Sequence, residues 1–372
     1  MSWPRGTLAD LFGDNVVYRN LEPQDARLAG LAAIWSTLGL ESAAVPRKTT
    51  PEYARALQCF ISQAQALRGL PPLERLLFIG DTAMNDGTAA RNLGRYWPMR
   101  GFIGADRLRE APKVELDGDL MLANRWSALG EFARWMADEG YVGDERTALL
   151  IDLDKTSLGA RGRNDRVIDA ARVAAIQRTL SAALGDRFDE ARFLAVYDPL
   201  NQPAYHPFTA DNQDYLAYIC LMVVAGIYDA ERFWADLASG ALTTLEQFSA
   251  ACEAQRSTMS PALREAQDQL QAGLAAHDPT PFKTFRRVEY RETVARMDVL
   301  PDDASVADVL ANEIVITGEV VAFARQMQAR GVLLFAISDK PDEASTPTPE
   351  DAAAGLQPLH RTTMKIYPAT LD

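Results

Sequence analysis

Apolar positions along this chain fall into two patterns. Unbroken apolar runs occupy residues 76–79, 149–151 and 332–337, and a run of that length without a polar break predicts a strand buried on both faces, as in a parallel sheet covered by helices. Elsewhere the apolar residues recur at helical spacing. Leu28, Leu31, Ile34 and Leu38 predict a helix opened by Pro23 and Asp25 and closed near Gly39. Thr50 followed by Pro51 predicts a capped helix start running to about Leu67, and Trp126, Leu129, Phe132 and Trp135 predict one buried face of a helix over 124–139. Short strands are expected at 15–18, 99–105 and 359–367, and a helix at 318–330. From about residue 165 to 301 nearly every segment reads as helix, at 165–184, 211–227, 230–239, 243–275 and 286–298. The pattern predicts an α/β fold: a Rossmann-like parallel sheet flanked by helices, with a large helical insertion. The expected division is 1–164 and 302–372 for the two parts of the α/β core, and 165–301 for the helical part.

The ends of the apolar runs carry the candidate chemistry. The run at 149–151 is followed by Asp152, Asp154 and Thr156, and the run at 76–79 by Gly80, Asp81, Asn85 and Asp86. The third run ends in Ser338, Asp339 and Lys340. Open parallel sheets bind ligands at the carboxyl ends of their strands, so these residues are expected to line a site. Lys48 stands just ahead of the helix that leads into the run at 76–79.

The segment Asp152, Leu153, Asp154, Lys155, Thr156 resembles motif I of the haloacid dehalogenase superfamily. Lys48, its helix and the Gly80-Asp81 strand end with Asp86 five places on resemble motifs III and IV, and the strand ending in Ser338 resembles motif II. The order along the chain is III, IV, I, II, which implies a circularly permuted core; chain ends that lie close together make such rewiring tolerable. The resemblance implies a Mg²⁺-dependent phosphatase acting on a small phosphorylated substrate. In that reading Asp152 is the nucleophile and Asp154 the general acid and base. Thr156 fixes the Asp154 loop, and Ser338 and Lys48 hold phosphoryl oxygens, with Lys340 and Lys365 as weaker rivals of Lys48. Mg²⁺ would be held by Asp152, the main chain of Asp154, Asp81 and Asp86. Asp154 disfavours carbon–halogen cleavage, because members with that activity lack this acid. The helical part would be a cap that chooses the substrate, with Tyr205, His206, Asn212 and Gln213 in a Pro-rich loop over 197–214.

Composition narrows the choice. A net charge of −13 argues against a general nucleic-acid surface, which needs clustered Lys and Arg. Three histidines and three scattered cysteines disfavour a His/Cys zinc site, leaving a hard, oxygen-ligated ion. The cysteines lack CxxC spacing and read as buried thiols of a reducing compartment, so a cytoplasmic location is expected. The N-terminus lacks a basic start and an apolar run, and the apolar stretch at 215–228 is too short for a bilayer, so neither secretion nor membrane insertion is expected. Oligomeric state leaves no sign. Two rival readings remain: a metal-dependent nucleotide-sugar glycosyltransferase built on the Asp-x-Asp strand, which leaves Lys48, Asp81, Asp86 and Ser338 without work, and a phospho-binding regulatory module. The turn after Thr156 holds Arg161 and Arg163, and reads either as phosphate-facing or as a plain exposed loop.

Overall fold

The computed structural model describes residues 3–367. The chain divides into two compact units, one formed by residues 1–170 with 293–372 and the other by 171–292. The helical part therefore begins inside the helix Asp165–Leu184 and ends inside the helix Lys283–Val294, at 171 and 292 where 165 and 301 were expected.

The first unit is built on ten strands: β1 (Arg5–Gly6), β2 (Val16–Val17), β3 (Arg75–Gly80), β4 (Met99–Gly104), β5 (Val114–Asp117), β6 (Leu120–Ala123), β7 (Thr147–Asp152), β8 (Ile316–Thr317), β9 (Leu333–Ile337) and β10 (Met364–Tyr367). Seven of them form one sheet in the order β2-β9-β7-β3-β4-β6-β5, parallel except for the edge strand β5. The strands that carry the candidate residues are neighbours, with β7 between β9 and β3; Ile151 pairs with Ile79, and Asp152 with Ile337. Three carboxyl ends thus meet at the centre of the sheet.

Both faces are covered, which is why the strands read as continuous apolar runs. Leu76, Phe78, Leu150 and Phe335 pack with Leu57, Phe60 and Ile61 of α1 (Pro51–Leu67). On the other face, Phe102 of β4 meets Phe132 of α2 (Leu129–Asp138), and Phe132 meets Phe323 of α3 (Gly318–Ala329), with ring centroids 5.8 and 5.7 Å apart. Thr50 caps α1 through its hydroxyl, which accepts from the Tyr53 amide at 3.4 Å, and Pro51 opens the helix.

Several expectations are corrected. The helix expected over 23–39 shrinks to Leu31–Ile34. Trp126–Ala128 form a separate 3-10 turn before α2. The hairpin of β5 and β6 carries no clear apolar alternation and was not expected; β5 is largely exposed. The final strand, β10, joins a second, three-stranded sheet between β1 and β8 and not the main one. There Lys365 is fully buried, its ammonium 2.9 Å from Glu313 and 3.1 Å from Asp298, so it is a structural ion pair on the middle strand of that sheet. The first residues, to which the sequence assigned no role, close both sheets through β1 and β2.

The second unit contains no strand. Its centre is the helix Gln213–Val224, in which residues 216–224 are all buried, as expected for the apolar stretch there. The expected helix over 243–275 is two helices, Leu245–Glu253 and Pro261–Ala275, because Ser260 caps and Pro261 opens a new one. The region 197–214 is not an open loop: it holds the end of the helix Glu190–Leu200, a turn at Pro203–Tyr205 and the short helix His206–Thr209. Its candidate residues serve local structure. Asn212 caps the central helix and bonds the Pro279 carbonyl, Gln213 bonds Asn201, and Tyr205 packs edge-on against Trp234. No helix among the described residues is long and apolar enough to cross a membrane.

Candidate active site

The carboxyl ends of β3 and β7 deliver three buried aspartates to one point. Carboxylate oxygens of Asp81, Asp86 and Asp152 all lie within 4.8 Å of one another. Asp152 ends β7, and Asp81 directly follows β3. Asp86 folds back from the turn after β3, where its Oδ2 accepts from the Asp81 amide at 3.1 Å and from the Thr82 amide and hydroxyl at 2.9 Å. Lys48, on the segment before α1, reaches into this group. Its Nζ donates to Asp152 Oδ1 at 2.6 Å and lies 2.6 Å from Asp86 Oδ1, an ion pair outside hydrogen-bond alignment. Of the three candidate lysines, Lys48 is thus the one on Asp152, while Lys365 lies in the second sheet and Lys340 follows Ser338.

Gly80 is required by this packing. A Cβ there would sit 2.4 Å from Cβ and 2.5 Å from Cγ of Asp86, a side chain already held by three donors. Gly80→Ala is expected to displace Asp86, destabilising the fold by about 1–3 kcal/mol and removing any rise in melting temperature with Mg²⁺. Thermal unfolding with and without Mg²⁺ checks both; an unchanged response to the cation would show that Asp86 is no ligand.

Burying three carboxylates together shifts their ionisation. Burial and the neighbouring Asp86 push Asp81 up to about 7, against the opposing pull of Arg161. Burial pushes Asp152 well above its ordinary range, Lys48 opposes, and Asp86 and Asp81 add to the rise. At Asp86 burial is outweighed by the Lys48 ammonium, the Asp81 carboxyl and the Thr82 amide, which hold it well below the usual carboxylate range. Lys48 in turn stays charged, since Asp152 and Asp86 overcome the cost of its burial. The cluster holds more negative charge than its two cations, Lys48 and Arg161, neutralise when all three carboxyls ionise.

The loop after β7 is braced from its sides. The Asp152 carbonyl accepts from Ser157 Oγ at 3.0 Å, the Leu153 amide donates to the Ile337 carbonyl at 2.9 Å, and Thr317 Oγ1 donates to the Thr156 carbonyl at 2.5 Å. Lys155 takes a left-handed φ of 64°, turning the chain back. The bracing expected of Thr156 falls to Ser157 and Thr317; the Thr156 hydroxyl is buried without a hydrogen-bond partner. Asp154 is half-buried on this loop, and its carboxylate is not one of the clustered three. Ser338 is buried one residue beyond the partner of Asp152, its amide donating to Val17 and its Oγ accepting from the Lys340 amide.

The two arginines of the following turn separate in role. Arg161 pairs with Asp81, so it belongs to the site. Arg163 pairs with Asp106 at 2.7 Å and Glu319 at 2.7 Å, and is structural. Gly162 permits the turn, with φ +78° and a Cβ position only 1.9 Å from the Asp106 carbonyl. Tyr53 and Ser157 were absent from the expected site, and Arg161 was expected only as phosphate-facing or plainly exposed. Arg161 had a sequence signal in the basic turn; Tyr53, on an otherwise apolar helix face, had none.

The donor set suits a hard cation: three carboxylates with oxygen ligands, no histidine or thiol among them, and excess negative charge. Comparisons of the chain with family models, with curated proteins and with solved structures give no match.

Proposed function

We propose that this protein is a Mg²⁺-dependent phosphohydrolase that works through an aspartyl phosphate on Asp152, on a circularly permuted haloacid-dehalogenase-like core. One observation carries the reading: Asp152 ends β7, which lies between β9 and β3, and is bonded to a buried lysine and clustered with Asp81 and Asp86, which follow the adjacent strand β3. A nucleotide-sugar transferase built on Asp152 and Asp154 alone would have no use for that lysine.

Phosphate monoesters resist attack because their own negative charge repels nucleophiles, so the site must neutralise charge and fix geometry. Lys48 holds Asp152 through Oδ1, and the attack is assigned to Oδ2. That oxygen forms a bond to phosphorus as the ester P–O bond breaks, and Asp154 gives its proton to the departing oxygen. Asp154 then takes a proton from water, whose oxygen bonds phosphorus while the bond to Asp152 breaks, releasing phosphate. Ser338 and Lys48 bind phosphoryl oxygens. Asp81, Asp86 and Asp152 would hold Mg²⁺, which supplies charge neutralisation and orientation at the phosphoryl group. Arg161 balances Asp81 on the outer side of the cluster.

A panel of phosphate monoesters assayed with Mg²⁺, beside a panel of sugar nucleotides, tests this. Phosphate release that EDTA abolishes is the expected result. Sugar-nucleotide turnover without phosphomonoester hydrolysis would replace the reading with the transferase.

A further inference from the structure

Tyr53 lies on the first turn of α1, five residues after Lys48, and is 1% exposed. Its ring packs in the core beneath the sheet, but its hydroxyl is buried with no hydrogen-bond partner among the described residues. Buried hydroxyls are nearly always paired, because stripping one of water without a replacement bond is unfavourable. A phenylalanine would fill the same core volume without that cost. The charges acting on this hydroxyl are those of Lys48, Asp339, Asp152 and Asp86, which puts its oxygen on the side of the catalytic cluster. Burial also raises its pKa, so it stays protonated and able to donate.

Among the described residues no protein acceptor takes its hydrogen. Asp152 Oδ1 and Asp86 Oδ1 share Lys48, and Asp86 Oδ2 is held by the Asp81 amide and by Thr82. The unmet donor therefore calls for an acceptor brought in from outside. A ligand in contact with Lys48 and Asp152 that carries several outward oxygens meets this need, and a tetrahedral oxyanion is such a group. Tyr53 also stands at the amino end of a 17-residue helix, where the backbone dipole favours an anion.

We propose that the Tyr53 hydroxyl donates a hydrogen bond to a phosphoryl oxygen of the substrate bound over Asp152, making Tyr53 a substrate-binding residue of this site. The inference rests on the phosphohydrolase reading and adds to it a binding group that the motif resemblance does not contain.

The test is Tyr53→Phe, which removes one oxygen and keeps the ring. Orthovanadate, in the presence of Mg²⁺, is the probe of the phosphoryl position, with binding measured by calorimetry, and the melting temperature is measured with no ligand. The expected result is binding weakened by about 10-fold or more, with a ligand-free melting temperature equal to or above that of the wild type. Wild-type affinity in the variant would overturn the inference alone. A clear fall in its ligand-free melting temperature would also overturn it, by showing that the hydroxyl is paired within the protein. Failure of the wild-type protein to bind orthovanadate would end the phosphohydrolase reading and this inference together.

Discussion

Asp152→Asn is expected to lower Mg²⁺-dependent phosphate release by at least about 10³-fold while leaving the fold at least as stable as before. The activity falls because an amide cannot attack phosphorus or form the aspartyl phosphate. The stability prediction follows from the shifted ionisation of the native carboxyl. A carboxyl whose folded pKa lies above its unfolded value stabilises the fold below the unfolded pKa, and that contribution is lost as pH rises through the folded one. Asp152 is pushed well up, mainly by burial, so above the ordinary carboxylate value the wild-type residue progressively loses this contribution as pH rises. Asparagine stays neutral and keeps it. The comparison is made by activity assay and by thermal unfolding at pH 7.5 without metal. Full activity in the variant would refute Asp152 as nucleophile, and collapse of the fold would show that its charge is structural.

Lys48→Met should behave in the opposite way on stability. It leaves Asp86 and Asp152 facing each other without the ammonium that lies 2.6 Å from each, and removing one partner of a buried ion pair costs about 3–5 kcal/mol. The pH dependence identifies the cause. Asp86 is held well below its ordinary value of 3.8 in the folded protein, so its contribution is fully present above that value and is lost only as pH falls through the depressed one. Without Lys48 this contribution disappears, and the deficit is full at pH 7. It narrows toward pH 4, where the variant's carboxyls take up protons and no longer need a counter-charge. Denaturant unfolding at the two pH values measures it, and added Mg²⁺ is expected to restore part of the loss at pH 7. A deficit independent of pH would mean that Lys48 contributes only packing. Phosphate release should also fall, since the same ammonium binds the phosphoryl group in the proposed mechanism.

The two variants separate chemistry from charge balance. One removes the nucleophile and relieves the excess negative charge, and the other removes a cation and makes that excess worse. Gly80→Ala disturbs the same cluster through shape alone, because its new Cβ would fall on the Asp86 side chain.

The strands β3, β7 and β9 could be read from the sequence because they are buried on both faces, and two-sided burial leaves an unbroken apolar run that needs no knowledge of neighbours. The start of α1 was equally local, since Thr50 and Pro51 satisfy requirements of the helix end within one turn. Asp81, Asp86, Asp152 and Lys48 could be named as candidates because they stand at fixed offsets from those elements. Sequence periodicity does not determine which strands are neighbours. The order β9-β7-β3 comes from packing between segments 72 and 185 residues apart in sequence, and that order brings Lys48 onto Asp152 across 104 residues of chain. Burial belongs to the same level: it raises Asp81 and Asp152 and leaves the Tyr53 hydroxyl without a partner, and it depends on what the rest of the chain places around each group. The two-residue strands β1 and β8 were also decided there, since elements so short have no period of their own and exist only through the strands they pair with, whereas the apolar pair at 16–17 had marked β2.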